Sequence, residues 1–228
     1  MFNEGYAATR GERLIRSDLC GEAIRLCRIV RALTSPQPPA EATGLLALML
    51  LHDARRGARE DEAGEIVLLE HQDRRRWDHG QISEALPLVS EALRGNPGPY
   101  ALQAAIAAEH CKADRAELTN WREIVRLYEQ LERVDSSPVI SLNRAAALAM
   151  AEGPNAALAI IDNLSDEGDL ENFHLLHAAR ADLLRRLGSR NEAAKSYLRA
   201  IELVTNEKER SFLQRRLREV EGTDQGSM

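Results

Sequence analysis

Apolar residues recur along this chain at the spacing of an amphipathic helix, and the pattern itself repeats at an interval of about 34 residues. The clearest copy lies near the C-terminus, where Ala193, Tyr197 and Ala200 share one helix face. Two earlier apolar pairs stand 36 and a further 33 residues before it: Ala157 with Ile161, and Ile124 with Tyr128. This period is typical of helix-turn-helix repeats that stack on one another.

Signals for helix starts and ends divide the copies into pairs of helices. Pro138 suits the first position of a helix, and Gly153-Pro154 ends that helix. Capping boxes, in which a polar residue is followed three positions later by glutamate, are predicted at Asn120, Ser189 and Asn206. The predicted helices cover about 100–112, 121–134, 138–152, 155–164 and 172–187, with one from 190 and a last one from 206 to about 221.

The N-terminal part carries a weaker copy of the same repeat. Ala85, Val89 and Ala92 repeat the spacing on a predicted helix that ends at Gly95, with Pro87 near its first turns. The expected partner of this helix is the apolar segment 45–54, and an insertion from about 57 to 78 separates the two.

A further amphipathic helix is predicted upstream, over residues 13–33. Its apolar positions are Leu19, Ala23, Leu26 and Val30, and a cluster of three prolines at positions 36, 38 and 39 ends it. At the other end of the chain, the outer face of the last predicted helix is crowded with charged residues: Arg215, Arg216, Arg218 and Glu219. A charged outer face is typical of the helix that closes a repeat stack.

The sequence therefore predicts an all-α fold, a TPR-like helical-repeat solenoid of antiparallel helix pairs with a C-terminal capping helix. We expect an N-terminal helical segment with the degenerate first repeat and the insertion over 1–96, and TPR-like repeats over 97–205. The capping helix is expected over 206–222, and a disordered tail over 223–228.

Composition supports the helical interpretation. Alanine and leucine supply 65 of the 228 residues, whereas β-branched isoleucine and valine supply 19, a ratio that favours helix over sheet. The net charge of −6, with acidic residues interleaved among 27 arginines, argues against a stand-alone nucleic-acid binder. No apolar run reaches the roughly 18 residues of a membrane helix, and the N-terminus has no basic segment followed by an apolar stretch, so neither a membrane span nor secretion is expected. The expected location is the cytoplasm, with no membrane partner.

Motifs for catalysis and cofactor binding are missing from the sequence, which contains no HExxH, CxxC, GxSxG or glycine-rich phosphate loop. Glu171, His174 and His177 recur every three residues and could present three ligands to a metal ion. Because ligands with this spacing point in progressively different directions around a helix, ordinary packing is the favoured interpretation. His110 and Cys111 are consecutive and point in different directions. We therefore expect that the protein is not an enzyme, and that it has no catalytic residues and binds no metal or cofactor.

The insertion holds a dense polar and aromatic cluster of Gln72, Asp73, Arg74, Trp77 and Asp78. Long connections are often functional, which makes this cluster a candidate partner-binding site. The alternative is structural: Trp77 fills the interior of the repeat stack, and Asp73 pairs with one of the arginines at positions 74–76.

Three further polar residues, Gln103, Asn143 and Arg180, fall near the middle of successive first helices of the repeats. In stacks of this kind the first helices line the concave face. Their side chains would either bind a peptide terminus or a carboxylate, or form polar links between repeats. The sequence alone leaves both open.

Several longer blocks of sequence occur in order up to about residue 221: Phe2-Asn3-Glu4-Gly5-Tyr6; Arg13 with Asp18-Leu19; Gly44 to Leu51; Gln72-Asp73-Arg74 with Trp77-Asp78; Pro99-Tyr100 with Gln103 to Ala108; Leu142-Asn143-Arg144-Ala145; and His177 to Gly188. Together they resemble the C-terminal, TPR-like extension of one group of bacterial extracytoplasmic-function sigma factors. The match covers nearly the whole chain.

The resemblance implies a sigma factor, a protein that recruits core RNA polymerase to promoters. It implies that the extension governs that activity through contacts with the N-terminal sigma modules or with core polymerase, and that promoter DNA is reached only through those modules. Family members carry two such modules before the block at Phe2, so this chain is read as a C-terminal fragment or as one with a late-assigned start. The candidate partner-binding residues are Asn3, Glu4, Gln72, Asp73, Arg74, Trp77, Gln103, Asn143, Arg144 and Arg180.

A second hypothesis comes from a different class of function. In it, the chain is a small-molecule or metal-sensing helical-repeat module, in which Gln103, Asn143, Arg180 and the insertion around Trp77 form a pocket. Ligand binding would then shift the module between two shapes.

Overall fold

The chain is helical throughout the residues that its computed structural model describes, which are 17–34 and 39–222. Within those ranges there are ten α-helices: α1 (Ser17–Leu33), α2 (Ala40–Ala54), α3 (His79–Ala92), α4 (Pro99–Lys112), α5 (Trp121–Val134), α6 (Pro138–Ala151), α7 (Pro154–Glu167), α8 (His174–Arg186), α9 (Arg190–Leu203) and α10 (Glu207–Gly222). The same ranges contain no strand, and consecutive helices pack on one another from α1 to α5 and again from α6 to α10. The all-α helical-repeat fold is confirmed. The predicted tail at 223–228 lies outside the described residues.

The helices fall into two compact units, Met1–Asp135 and Ser136–Met228. In the first unit α2 is central, because it packs against α1, α3 and α4, while α5 packs on α4. The sequence of α2 explains its position: most of its side chains are apolar and they face every direction, so the helix must be covered on several sides. No described helix is both long and apolar enough to cross a membrane.

Helices α2 and α4 approach each other closely at Gly44. A Cβ placed on Gly44 would lie 2.6 Å from the backbone nitrogen of Ala101, so only glycine fits here without a shift. One turn earlier, the Glu41 carboxylate accepts hydrogen bonds from the backbone N–H groups of Tyr100 and Ala101, at 3.0 and 3.2 Å. Glu41 thereby caps the N-terminus of α4, whose own N-cap residue, Gly98, has no side chain to do so.

Helix α1 buries a different face from the one predicted. Cys20, Ile24 and Cys27 are buried and α1 packs against α2, whereas Leu26 and Val30, which were expected on the apolar face, are exposed. The prediction was wrong because both sets of residues have helical spacing, so periodicity alone could not choose between them.

The second unit is built from α6 to α10, each packed on the next. The residues that carry the repeat pattern form its core: Ala157, Ile161, Ala193, Tyr197 and Ala200 are all buried, with at most 2% of their surface exposed. Ala and large apolar residues alternate at this spacing because the small side chain lets two helices approach and the large one fills the space beside it. The predicted repeat positions are confirmed for this unit.

Two of the three predicted caps are present. The Asn120 side chain accepts a hydrogen bond from the backbone N–H of Glu123 at 3.2 Å. The Asn206 side chain accepts from Lys208 and Glu209 at 3.0 and 3.2 Å, and starts α10. These bonds satisfy N–H groups that have no partner inside the helix.

The third cap, at Ser189, is wrong, because its side chain makes no capping hydrogen bond. The turn between α8 and α9 is held by backbone instead. Gly188, at φ +81°, donates to the carbonyl of Arg185, and Ser189 donates to the carbonyl of Leu184. This pair of bonds is a Schellman motif, which ends α8 so tightly that α9 begins at the next residue.

Helix α3 starts earlier than predicted, because the Asp78 side chain accepts a hydrogen bond from the N–H of Gln81 at 3.0 Å. Pro87 therefore lies inside the helix rather than near its first turns. In α8, the helical spacing of the leucines places both Leu175 and Leu176 in the predicted apolar stripe, but Leu175 is 46% exposed. The neighbouring Leu176 takes the buried position, about 100° further around the helix.

Candidate functional site

The connection between α2 and α3, residues 55–78, is the predicted insertion. It contains three short 3-10 turns, Arg56–Ala58, Leu69–His71 and Arg74–Arg76, and an isolated antiparallel bridge between Glu60 and Ile66. This segment brings together several candidate residues and holds them against the ends of α2 and α4.

Trp77 lies in the interior of the first unit with only 4% of its surface exposed. Its neighbour Asp78 donates its backbone N–H to the Ala54 carbonyl at the end of α2, at 2.8 Å, which anchors this end of the insertion. The Arg74 guanidinium carbon lies 4.6 Å from the centre of the Trp77 ring, at a distance suited to a cation–π contact. This buried position agrees with the structural interpretation of the sequence, in which Trp77 fills the interior of the repeat stack.

Asp73 caps the turn that follows it and pairs with Arg75. Its carboxylate accepts from the Arg75 backbone N–H at 3.1 Å and from the Arg75 guanidinium at 3.0 and 2.9 Å. These hydrogen bonds, together with the positive charge of Arg75, lower the pKa of Asp73. Asp73 is thus engaged within its own turn.

Arg74 ties the insertion to the C-terminal end of α4. Its guanidinium donates to the backbone carbonyls of His110 and Ala113, at 2.5 and 2.6 Å, and lies 3.5 Å from the Thr119 hydroxyl. Burial lowers the pKa of Arg74, but an arginine remains charged at neutral pH. A positive charge at the C-terminal end of a helix is stabilised by the carbonyl groups that lack partners there.

A buried basic and thiol-bearing cluster surrounds this contact, and the sequence patterns gave no sign of it. Arg55 is buried, with its guanidinium 3.1 Å from Nδ1 of His52. The His110 ring packs edge-on against Trp121, with centroids 5.1 Å apart. Residue types alone could not reveal the cluster, because its members come from α2, the insertion, α4 and the start of α5.

The histidines of this cluster are held neutral. Burial, and secondarily the charges of Arg55 and Arg74, lowers the pKa of His110 to about 3. Burial and the charge of Arg55 also lower the pKa of His52 well below its usual value. Burial raises the pKa of the Cys111 thiol, which works against the thiolate that a nucleophilic cysteine needs.

We predict that His110 makes the protein less stable as the pH falls. Its folded-state pKa of about 3 lies below the value near 6.5 of an unfolded chain, so between these values the unfolded state binds a proton that the folded state does not. Urea unfolding at pH 6 and pH 5 should show a drop in the free energy of unfolding, to which His110 contributes about 1 kcal/mol. In His110→Phe, which keeps an aromatic ring against Trp121, the drop should shrink by that amount.

The control for this prediction is His79→Phe, because His79 is exposed at the start of α3. This variant should show the same drop between pH 6 and pH 5 as the unmodified chain. An unchanged drop in His110→Phe would contradict the assignment of the proton to this residue.

The remaining candidate residues of the first unit are Gln72, Gln103, Asn3 and Glu4. The Gln72 side chain donates to the Val67 carbonyl at 3.2 Å, and its own amide oxygen is buried with no hydrogen-bond partner among the described residues. Gln103 is half-buried on α4. Asn3 and Glu4 lie outside the described residues.

In the second unit, Arg180 links three helices. Its guanidinium donates to the Asp162 carboxylate of α7 at 2.9 Å and to the Ser196 hydroxyl of α9 at 3.2 Å. Of the two interpretations of Arg180 that the sequence allowed, partner binding and a polar link between repeats, this contact corresponds to the polar link. By contrast, Asn143 on α6 is exposed and Arg144 beside it is half-buried.

The three residues of the considered metal pattern lie around the start of α8. Nε2 of His177 lies 2.8 Å from the backbone carbonyl oxygen of Glu171, and Nε2 of His174 lies 3.2 Å from the Glu209 carboxylate of α10. Glu171 itself precedes the helix. Across 17–34 and 39–222, no three His, Cys, Asp or Glu side chains are placed to hold a metal ion.

Comparison with known proteins adds two similarities. Residues 1–93 match a family of unknown function, DUF6596. Over 218 residues the chain is 46% identical to a protein named "Uncharacterized protein R00370" from Rhizobium meliloti (strain 1021), a match that covers 95% of this chain and 51% of that protein. The chain thus spans about half the length of this curated relative. No solved structure matches this chain.

The fold and the comparisons together define a class: an all-helical repeat protein whose first 93 residues resemble a family without an assigned function. Within that class, the chain resembles about half of a longer bacterial protein, and the similarity runs through both compact units.

Proposed function

We propose that this chain is a regulatory protein-interaction domain of an extracytoplasmic-function sigma factor. It would control transcription initiation in the cytoplasm through contacts with the sigma modules or with core RNA polymerase. The observation that carries the proposal is the ordered set of sequence blocks that resembles the C-terminal extension of such sigma factors, found on a helical-repeat fold. The longer relative supports it, because about half of that protein lies outside the shared region and has room for further modules.

The structure narrows the residues that would contact a partner. Arg74, Trp77 and Arg180 are engaged in internal contacts, so we assign them to stabilising the unit in which each lies. Asn143 and Met150 are exposed on one side of α6, where they lie two turns apart. Repeat proteins bind partners through helix faces that are exposed in this way.

The test is a pull-down of this chain against the part of the Rhizobium meliloti relative that lies outside the shared 218 residues, with and without core RNA polymerase. Capture without polymerase indicates contacts with the sigma modules, and capture only with polymerase indicates a role in the initiation complex. The same part should support promoter-dependent transcription with core polymerase. Failure of both capture and transcription would overturn the proposal.

We predict opposite outcomes for substitutions at Asn143 and Arg180. Asn143→Ala should weaken capture and leave the melting temperature unchanged, because the side chain is exposed. Arg180→Glu should lower the free energy of unfolding by about 1 kcal/mol or more, because it places a second carboxylate beside Asp162 and removes the bond to Ser196. Thermal melts and the same pull-down check both. Equal stability of the two variants would contradict the linking role of Arg180.

A further inference from the structure

Helix α1 carries an exposed apolar stripe. Among the described residues ten large apolar side chains are exposed, and four of them lie within eight residues of this helix: Leu26 at 41%, Ile29 at 40%, Val30 at 49% and Leu33 at 80%. Their spacing of i, i+3, i+4 and i+7 places them on one face. We refer to these four residues as the outer stripe of α1. Scattered exposed apolar residues are ordinary, but a contiguous set on one helix marks an interaction site.

The other side of α1 already has its partner. Cys20, Ile24 and Cys27 are buried, and the Cys27 thiol donates to the Ala42 carbonyl of α2 at 3.5 Å. A helix that is apolar on two opposite faces is normally covered on both. The contact with α2 covers only one of them.

The charges next to the outer stripe are also committed within the unit. Arg28 pairs with Glu84 at 2.7 Å, and Arg31 pairs with Glu91 at 2.8 Å, so both arginines fasten α1 to α3. Arg25 pairs with Glu22 of its own helix. The surface that α1 offers to a partner is therefore apolar, and the complementary surface is an apolar helix face rather than an acidic one.

Helix α10, the last helix of the described residues, offers a comparison. In α10 only Leu213 and Val220 are fully buried, and no large apolar side chain among its described residues is exposed. Arg218 and Glu219 are among its exposed residues. Repeat stacks end in polar faces of this kind, whereas the outer stripe of α1 has the composition of an interior position.

We infer that the outer stripe of α1 is the docking face for an amphipathic helix from the part of the longer protein that lies outside this chain. The inference rests on the proposed function and names the surface through which it acts. The stripe extends for about 10 Å, or two turns, which suits the apolar face of one crossing helix. The relative carries about as much chain again outside the shared region, so its docking helix is available in the same molecule at high effective concentration.

The experiment compares two triple variants of the full chain. Leu26→Gln/Val30→Gln/Leu33→Gln alters the outer stripe, and Leu118→Gln/Leu175→Gln/Leu198→Gln removes leucines that are 58%, 46% and 48% exposed elsewhere. The probe is the part of the Rhizobium meliloti relative outside the shared 218 residues, with its folding checked by circular dichroism. Calorimetry should show a Kd raised about tenfold or more for the stripe variant and by less than about twofold for the control.

Each other outcome is informative. Both variants should have the melting temperature of the unmodified chain, because the replaced side chains are exposed. A stripe variant that binds the probe as tightly as the unmodified chain overturns the inference and leaves the proposed function standing. If the chain instead sediments as a dimer that the stripe variant abolishes, a second copy covers the stripe and the inference is wrong. If the unmodified chain does not bind the probe, the docking face is wrong, and the transcription assay decides separately whether the proposed function falls with it.

Discussion

Gly44→Ala should destabilise the first unit by about 3 kcal/mol or more, the cost of overpacking at a close contact between helices. The added Cβ would lie 2.6 Å from the backbone nitrogen of Ala101 and 2.8 Å from its Cα, and 3.0 Å from the carbonyl carbon of Tyr100. These are backbone atoms, so no side-chain rotation relieves the contact and α2 must move away from α4. Urea unfolding monitored by circular dichroism measures the loss.

The same displacement would break the cap of α4. Glu41 lies one turn before Gly44 on the same face of α2, and its carboxylate accepts from the N–H groups of Tyr100 and Ala101. Moving α2 outward lengthens both hydrogen bonds and leaves two N–H groups at the start of α4 without partners. Steric and capping losses therefore add at this site.

The matched control is Gly21→Ala in α1. It makes the same chemical change inside a helix, but a Cβ at Gly21 meets no atom of the described residues within 4 Å. Because alanine is a better helix former than glycine, this variant should be neutral or more stable by up to about 1 kcal/mol. If the two variants had similar stabilities, the close approach at Gly44 would not be a constraint on the fold.

Elements with local signals were the ones that sequence reasoning predicted well. Helix α5 has the predicted bounds because Asn120 supplies a local cap and the apolar period is unambiguous. Gly44, in contrast, was only one residue of an apolar run, because the contact that explains it involves Ala101, which is 57 positions away in the sequence. Ser189 had the right sequence for an N-cap, but its side chain makes no capping hydrogen bond, and backbone bonds to carbonyls of α8 shape the turn in which it lies.

The candidate site was predictable in composition but not in its contacts. The pairing of Asp73 with a neighbouring arginine and the burial of Trp77 were both among the interpretations that the sequence allowed. The partners of Arg74 were not, because backbone carbonyls are acceptors at every residue and leave no trace in a sequence. Nor could the buried face of α1 be chosen while two stripes of equal period were present.

Arg74→Met should lower the free energy of unfolding by about 3 kcal/mol. The substitution keeps a long apolar side chain against the Trp77 ring but removes the charge-assisted hydrogen bonds to the carbonyls of His110 and Ala113, each worth about 1.5 kcal/mol or more. It also removes the cation that lies 4.6 Å from the centre of the Trp77 ring. Chemical denaturation measures the change, and faster amide exchange at the end of α4 would locate it.

The neighbouring Arg75 provides the control, because it has the same side chain on the same short turn but no contact outside that turn in the described structure. Its side chain is 91% exposed and pairs with Asp73, so Arg75→Met should leave stability and exchange at α4 unchanged. A large loss for Arg74→Met beside none for Arg75→Met means that Arg74 fastens the insertion to α4. If both variants instead lose equally little free energy of unfolding, Arg74 is not needed for stability and can contact a partner. The insertion would then be a candidate binding surface in addition to the outer stripe of α1.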